Sequence, residues 1–221
     1  MQNARKNFDS LLQELKEKLL KMSGLVEKSL HESVESLKYI NVELAEEVIE
    51  LDNEIDDLEL VIEELAIELI ATQQPVAKDL RKIISAIKIA SDLERIADLS
   101  VNIAKVTKRL QGQQLIKPLI DIPKMTEAAQ KMLRISIDSY INEDISLAKQ
   151  LASMDDYIDS TYKMILNELI EYMVKDPNVI NQGQQLAFVA RYIERIADHI
   201  TNVGESVIYL VSGDRSEKLN D

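Results

Sequence analysis

One pentapeptide, Glu-Arg-Ile-Ala-Asp, occurs twice, at Glu94–Asp98 and again at Glu194–Asp198. The match is extended by Asn102 and Asn202 at the same offset of 100 residues. Upstream, Leu51-Asp52-Asn53-Glu54-Ile55-Asp56 pairs with Met154-Asp155-Asp156-Tyr157-Ile158-Asp159 at an offset of 103. That second offset also relates Met22 to Met125, Lys28 to Lys131, Leu30 to Leu133, Ser36 to Ser139, Leu44 to Leu147 and Ala45 to Ala148. A duplication this long requires a fold made of two similar halves.

The halves read as helical. In 41–72, Leu44, Val48, Leu51, Ile55, Leu58, Ile62, Leu65 and Leu69 recur at alternating steps of four and three, the apolar stripe of one long amphipathic helix. Similar stripes cover roughly 3–39, 78–110, 122–141, 144–174 and 179–211. Only 5 Gly and 4 Pro punctuate 221 residues, too few turn residues for an all-β sandwich or a Rossmann-like fold. The expectation is an all-α protein of six long helices forming two pseudo-symmetric three-helix bundles. The segment 111–123, with Gly112 and two prolines, divides a first bundle at 1–115 from a second at 116–221.

Charge narrows the partners. With 26 basic against 39 acidic residues the net charge is −13, which argues against nucleic acid, whose affinity rests on neutralised phosphates. Zero Cys removes disulfides and thiolate chemistry, in keeping with a cytoplasmic location. The longest uncharged run, 178–190, is too short and polar to span a bilayer.

The chemistry sits in the repeats. Glu94 and Asp98 are spaced i, i+4, so their carboxylates leave one side of a helix. Glu94 falls within the apolar stripe Ile83, Ile87, Ala90, Ala97, Val101, Ala104, a costly place for an acid without a partner. Asp52 and Asp56 form a second i, i+4 pair on the preceding helix. If the two helices make an antiparallel hairpin closing near Pro75, Asp56 stands level with Glu94 and Asp52 with Asp98. A hairpin closing at Asp176-Pro177 does the same for Asp159 with Glu194 and Asp155 with Asp198. Four carboxylates at one level repel unless protonated or neutralised. An oxygen-only set suits Mg²⁺, Mn²⁺, Ca²⁺ or iron, with zinc also open. The expected metal ligands are thus Asp52, Asp56, Glu94 and Asp98, and Asp155, Asp159, Glu194 and Asp198, with Asn102 and Asn202 beside them. Arg95 and Arg195 are expected to pair with Asp98 and Asp198 at i+3, while His31 and His199 read as weak ligand candidates. No Gly-rich phosphate loop, nucleophile elbow or His-Glu-x-x-His occurs, which argues against catalysis.

These motifs resemble the PhoU phosphate-uptake regulators over roughly 5–212, with Ala97 and Ala197 where many members have Gly. The resemblance implies a cytoplasmic, non-enzymatic negative regulator of phosphate uptake. Such a protein would couple a phosphate ABC transporter, through its ATPase subunit at the inner face of the membrane, to a sensor histidine kinase. It also implies metal on the acidic motifs, with iron or zinc favoured and magnesium or manganese as alternatives, and a homodimer by the family's habit. Two other readings stay open from the residues: a carboxylate-bridged metalloenzyme, and a metal-free helical scaffold regulating another transporter.

Overall fold

The computed structural model describes residues 2–220, and its long elements are all helical. They are α1 (Gln2–Tyr39), α2 (Val42–Gln73), α3 (Ala77–Arg109), α4 (Asp121–Asn142), α5 (Ile145–Lys175) and α6 (Ile180–Ser212), with a single 3-10 turn at Pro177–Val179 before α6. Each half packs its three helices against one another. The stripe read from the sequence is buried as expected, with Val48, Ile55, Leu58, Ile62, Leu65 and Leu69 all inside.

The duplication reaches down to single hydrogen bonds. In α1, the Ser33 and Ser36 hydroxyls donate to the carbonyls of Leu30 and Ser33; in α4, Ser136 and Ser139 donate to Leu133 and Ser136. The following turns then close alike, Asn41 N–H on Ser36 O at 2.8 Å and Asp144 N–H on Ser139 O at 2.9 Å. Both Asn41 and Asp144 cap the next helix by accepting from its first-turn N–H groups.

The halves meet along α3 and α6, and along α1 and α4. Arg81 Nε donates to Leu210 O, Ser85 Oγ to Ser206 O, and Arg109 Nη1 to Gln185 Oε1. As the numbers rise on α3 they fall on α6, so the two helices run antiparallel. One continuous apolar core, from Phe8 to Val203, draws side chains from both halves. The connection between α3 and α4 contains the 115/116 division. Glu143, after α4, is held by Lys78 and Lys82 of α3, which keeps its carboxyl below the usual range even though burial acts the other way.

Past Gly213 the chain turns back over the second half. Glu217 pairs with Lys149, Lys218 with Glu205, and Arg215 lies over the Tyr209 ring. Leu219 rests on Gly204, where an added Cβ would stand 2.8 Å from Leu219 Cδ1 and 2.7 Å from Leu151 Cδ1.

Candidate metal centres

Each hairpin carries acids on facing helices. In the first half, Asp52 and Asp56 project from α2 while Glu94 and Asp98 project from α3. Burial, followed by the charges of Asp56 and Asp98, pushes the Asp52 carboxyl up to about 6. Glu94, with a side chain only 16% exposed, is pushed up to about 7 by burial and then by Asp98. Asp56 is raised by burial and by Asp98 across the hairpin. The equal-distance pairing read from the turn therefore does bring the two acidic pairs into each other's field.

The second half repeats this with deeper burial. Asp155 and Glu194 are 8% and 9% exposed. Asp155 is pushed up to about 7 by burial, then by Asp198 and Asp159. Glu194 is raised by burial and then by Asp198, with Arg191 acting against. Asp159 and Asp198 are half-buried alongside.

Three carboxylate oxygens in these clusters are buried without a hydrogen-bond partner: Asp52 Oδ1, Glu94 Oε2 and Glu194 Oε2. Orphaned buried acceptors are costly and unusual. They match the oxygen-rich donor chemistry of a hard cation. The spacing is looser than a coordination shell, because among the described residues no three His, Asp or Glu side chains stand close enough to enclose one ion. Arginines stand among the acids. Arg95 Nη1 lies 3.1 Å from Asp98 Oδ2, the expected i+3 pair, and Arg95 Nε lies 3.3 Å from Glu94 Oε2 but out of line for a hydrogen bond. In the second half the expected Arg195–Asp198 pair is replaced. Arg191 holds Glu194 and Lys163 approaches Asp159 at 3.8 Å.

Two further groups were harder to foresee. His199 points across the α3–α6 seam, its Nδ1 3.0 Å from Asp92 Oδ1, and Asn202 Nδ2 donates to the same oxygen at 3.3 Å. Asn202 thus faces the other half, while Asn102 is half-buried on α3. Glu59 is a fifth acid near the first cluster, raised by burial, with the Ser91 hydroxyl and Arg95 acting against. Its place on α2, seven residues after Asp52, was the only signal.

The raised carboxyls fix a pH dependence. Between the ordinary value near 4 and the folded values of about 6 and 7, the folded chain holds protons that the unfolded chain releases. Stability must therefore fall as pH rises through that window. The acids held low, Glu143, Asp144 and Asp214, lose their contribution only under more acidic conditions. Chelator-treated protein is expected to melt at least about 2 °C higher at pH 5 than at pH 8, the shift given by ~1 kcal/mol at this size. A melting temperature that is flat or rises over that range contradicts the buried clusters.

Known proteins align with both halves. A family model described as the PhoU domain matches residues 19–107 and again 122–207. The chain is 42% identical over 218 residues to a phosphate-specific transport system accessory protein PhoU homolog of Clostridium acetobutylicum, covering 98% of this chain and 99% of that one. A homolog of the same description from Aquifex aeolicus is 44% identical over 203 residues, 92% of each chain. Among solved structures, PhoU from Pseudomonas aeruginosa superposes with a TM-score of 0.89 at 36% identity, covering 94% of this chain and all of that one. A phosphate transport system regulatory protein PhoU from Streptococcus pneumoniae gives 0.88 at 30% identity, covering 95% and 99%.

Proposed function

This chain belongs to the PhoU family of phosphate-transport accessory proteins, and on that premise we propose that it is a non-enzymatic adaptor linking a phosphate ABC transporter to a sensor histidine kinase. The observation that carries the reading is the family match over both halves at high identity. A surface feature supports the docking part. Val61 and Met164 are exposed at equivalent positions, and so are Ile67 and Ile170. Two diverged repeats that both keep apolar residues uncovered at the same places fit a surface used for contact. Among the described residues no helix is long and apolar enough to cross a membrane, so the membrane is to be met through the transporter's ATPase subunit. The protein would work at the inner face, as a homodimer.

In this reading Asp52, Asp56, Glu94 and Asp98, and Asp155, Asp159, Glu194 and Asp198, hold metal ions, iron or zinc before magnesium or manganese. Bound there, an ion would offset the crowding of these acids, and the residues holding it would tie α2 to α3 and α5 to α6. The open spacing of the acids favours a second reading, a metal-free helical scaffold. Elemental analysis of protein purified without affinity metal separates the two.

Deleting the gene is expected to leave phosphate uptake high in phosphate-replete cells, and restoring this chain should bring it down. The tagged chain should capture the transporter ATPase and the kinase from replete cells. Unchanged uptake together with no capture of either overturns the adaptor reading.

A further inference from the structure

We propose that the cavity at one end of the α3–α6 seam, beside the segment that returns after Gly213, binds a phosphate-type dianion between Lys88 and Arg215. The site is separate from the acidic clusters and does not rest on the adaptor reading. It begins with a stripe on α3. Arg81, Ser85, Lys88 and Asp92 recur at steps of four, three and four, so they share one side of the helix. Three of them are tied across the seam to α6. Arg81 Nε donates to Leu210 O at 3.1 Å, Ser85 Oγ donates to Ser206 O at 3.0 Å, and Asp92 Oδ1 meets His199. Lys88 has no such tie among the described residues. It lines a cavity of about 430 Å³ that Arg215 of the returning segment lines as well.

The acids around this space are already engaged. Asp92 Oδ1 accepts from Asn202 Nδ2 and faces His199 Nδ1. Glu205 accepts from Lys218 Nζ and the Leu219 N–H, and Glu217 pairs with Lys149. Lys88 and Arg215 have no ion pair among the described residues, and Arg215 rests only on the Tyr209 ring, 4.3 Å from its centroid. The charge left uncompensated here is therefore cationic, in a chain whose net charge is −13. The hydroxyls of Ser206 and Tyr209 line the same space without a hydrogen-bond partner among the described residues. Two unpaired cations beside free hydroxyl donors match a doubly charged ligand with several acceptor oxygens. Both cationic side chains are exposed, free to swing onto it.

The duplicated half has diverged at this place. Phe188 and Tyr192 stand on α6 where α3 has Lys88 and Asp92, and their rings stack with centroids 6.5 Å apart. That end of the seam carries aromatic packing, whereas this end keeps an open space edged with charge. Because Arg215 belongs to the returning segment, an anion shared with Lys88 ties that segment to α3. Its other anchors are the Glu217–Lys149 and Lys218–Glu205 pairs and the Leu219 contact with Gly204. Occupancy of the cavity is thereby coupled to how firmly the chain end is held down.

The test uses labelled inorganic phosphate at pH 8, dialysed to equilibrium against the full-length chain in about 0.15 M chloride, which screens scattered surface charge. Wild type should take up one phosphate per chain, saturably. Lys88→Gln and Arg215→Gln should each weaken binding about tenfold, the loss of one charge-assisted hydrogen bond. Both residues are exposed, so the variants should melt as wild type does. Competition by glycerol 3-phosphate assigns the site to phosphate esters, and its failure to compete assigns it to the free ion. Saturating phosphate should also slow tryptic cleavage after Lys218 in wild type and not in Lys88→Gln. No saturable uptake, or uptake unchanged in either variant, overturns the proposal. Cleavage after Lys218 that phosphate leaves unaltered overturns the tie to the chain end.

Discussion

Protein carrying Asp52→Asn, Glu94→Gln, Asp155→Asn and Glu194→Gln together is expected to lose all stoichiometric metal binding. In chelator at pH 8 it is expected to melt above wild type. The two outcomes share one cause. Each substitution keeps the shape of the side chain and removes a charge that burial and neighbouring acids oppose. At pH 8, above the raised values of about 6 for Asp52 and about 7 for Glu94 and Asp155, wild type carries those charges in the folded state, so neutral replacements relieve it. The same charges are what a divalent ion needs, since affinity in oxygen sites follows the number of charged ligands. Wild type with metal restored should recover or exceed the variant's melting temperature, because binding to the folded state alone stabilises it. Equal metal content in variant and wild type, by elemental analysis, ends the assignment of these residues as ligands. A variant that melts lower than wild type in chelator shows that their charges are satisfied by other means.

The second large effect belongs to the shared core. Ile96→Ala removes most of a fully buried side chain from a cluster that spans both halves and is expected to cost about 2–5 kcal/mol. The loss should reach the whole molecule. Six of the 7 tyrosines, Tyr140, Tyr157, Tyr162, Tyr172, Tyr192 and Tyr209, lie in the second half, so tyrosine fluorescence reports mainly there. Helical circular dichroism reports on both halves. A substitution in α3 should shift both signals equally, in one coincident transition, if 1–115 and 116–221 fold as a unit. Two transitions, with only one of them moved by Ile96→Ala, would make the halves independent domains.

Much of this architecture was legible in the sequence because helices follow local rules. The stripe from Leu44 to Leu69 sets the element type, and the punctuated segment 111–123 marks the break between α3 and α4. The level of the acids was legible too, since a tight antiparallel hairpin fixes height by distance from its turn. That is why Asp52 and Asp56 feel Asp98. What stayed hidden depends on contacts between halves or on long side chains. Nothing within either repeat says that α3 runs antiparallel to α6, so the Asp92–His199 contact had no local signal. Arginine has many rotamers, and spacing alone does not separate the expected Arg195–Asp198 pair from the Arg191–Glu194 pair that forms, since both are i, i+3. Distance from the turn says nothing of lateral separation, and among the described residues no three of the acids stand close enough to enclose one ion.

The returning segment Arg215–Leu219 has a consequence for how the protein is approached. Two nearly matching halves around antiparallel α3 and α6 would offer a visitor the same welcome from either direction. Leu219 lying on Gly204, with Lys218 and Glu217 fastened beside it, occurs on one half only. It gives an almost palindromic body a front and a back, so a partner that fits both halves equally well in outline meets a shuttered doorway on one side and an open one on the other.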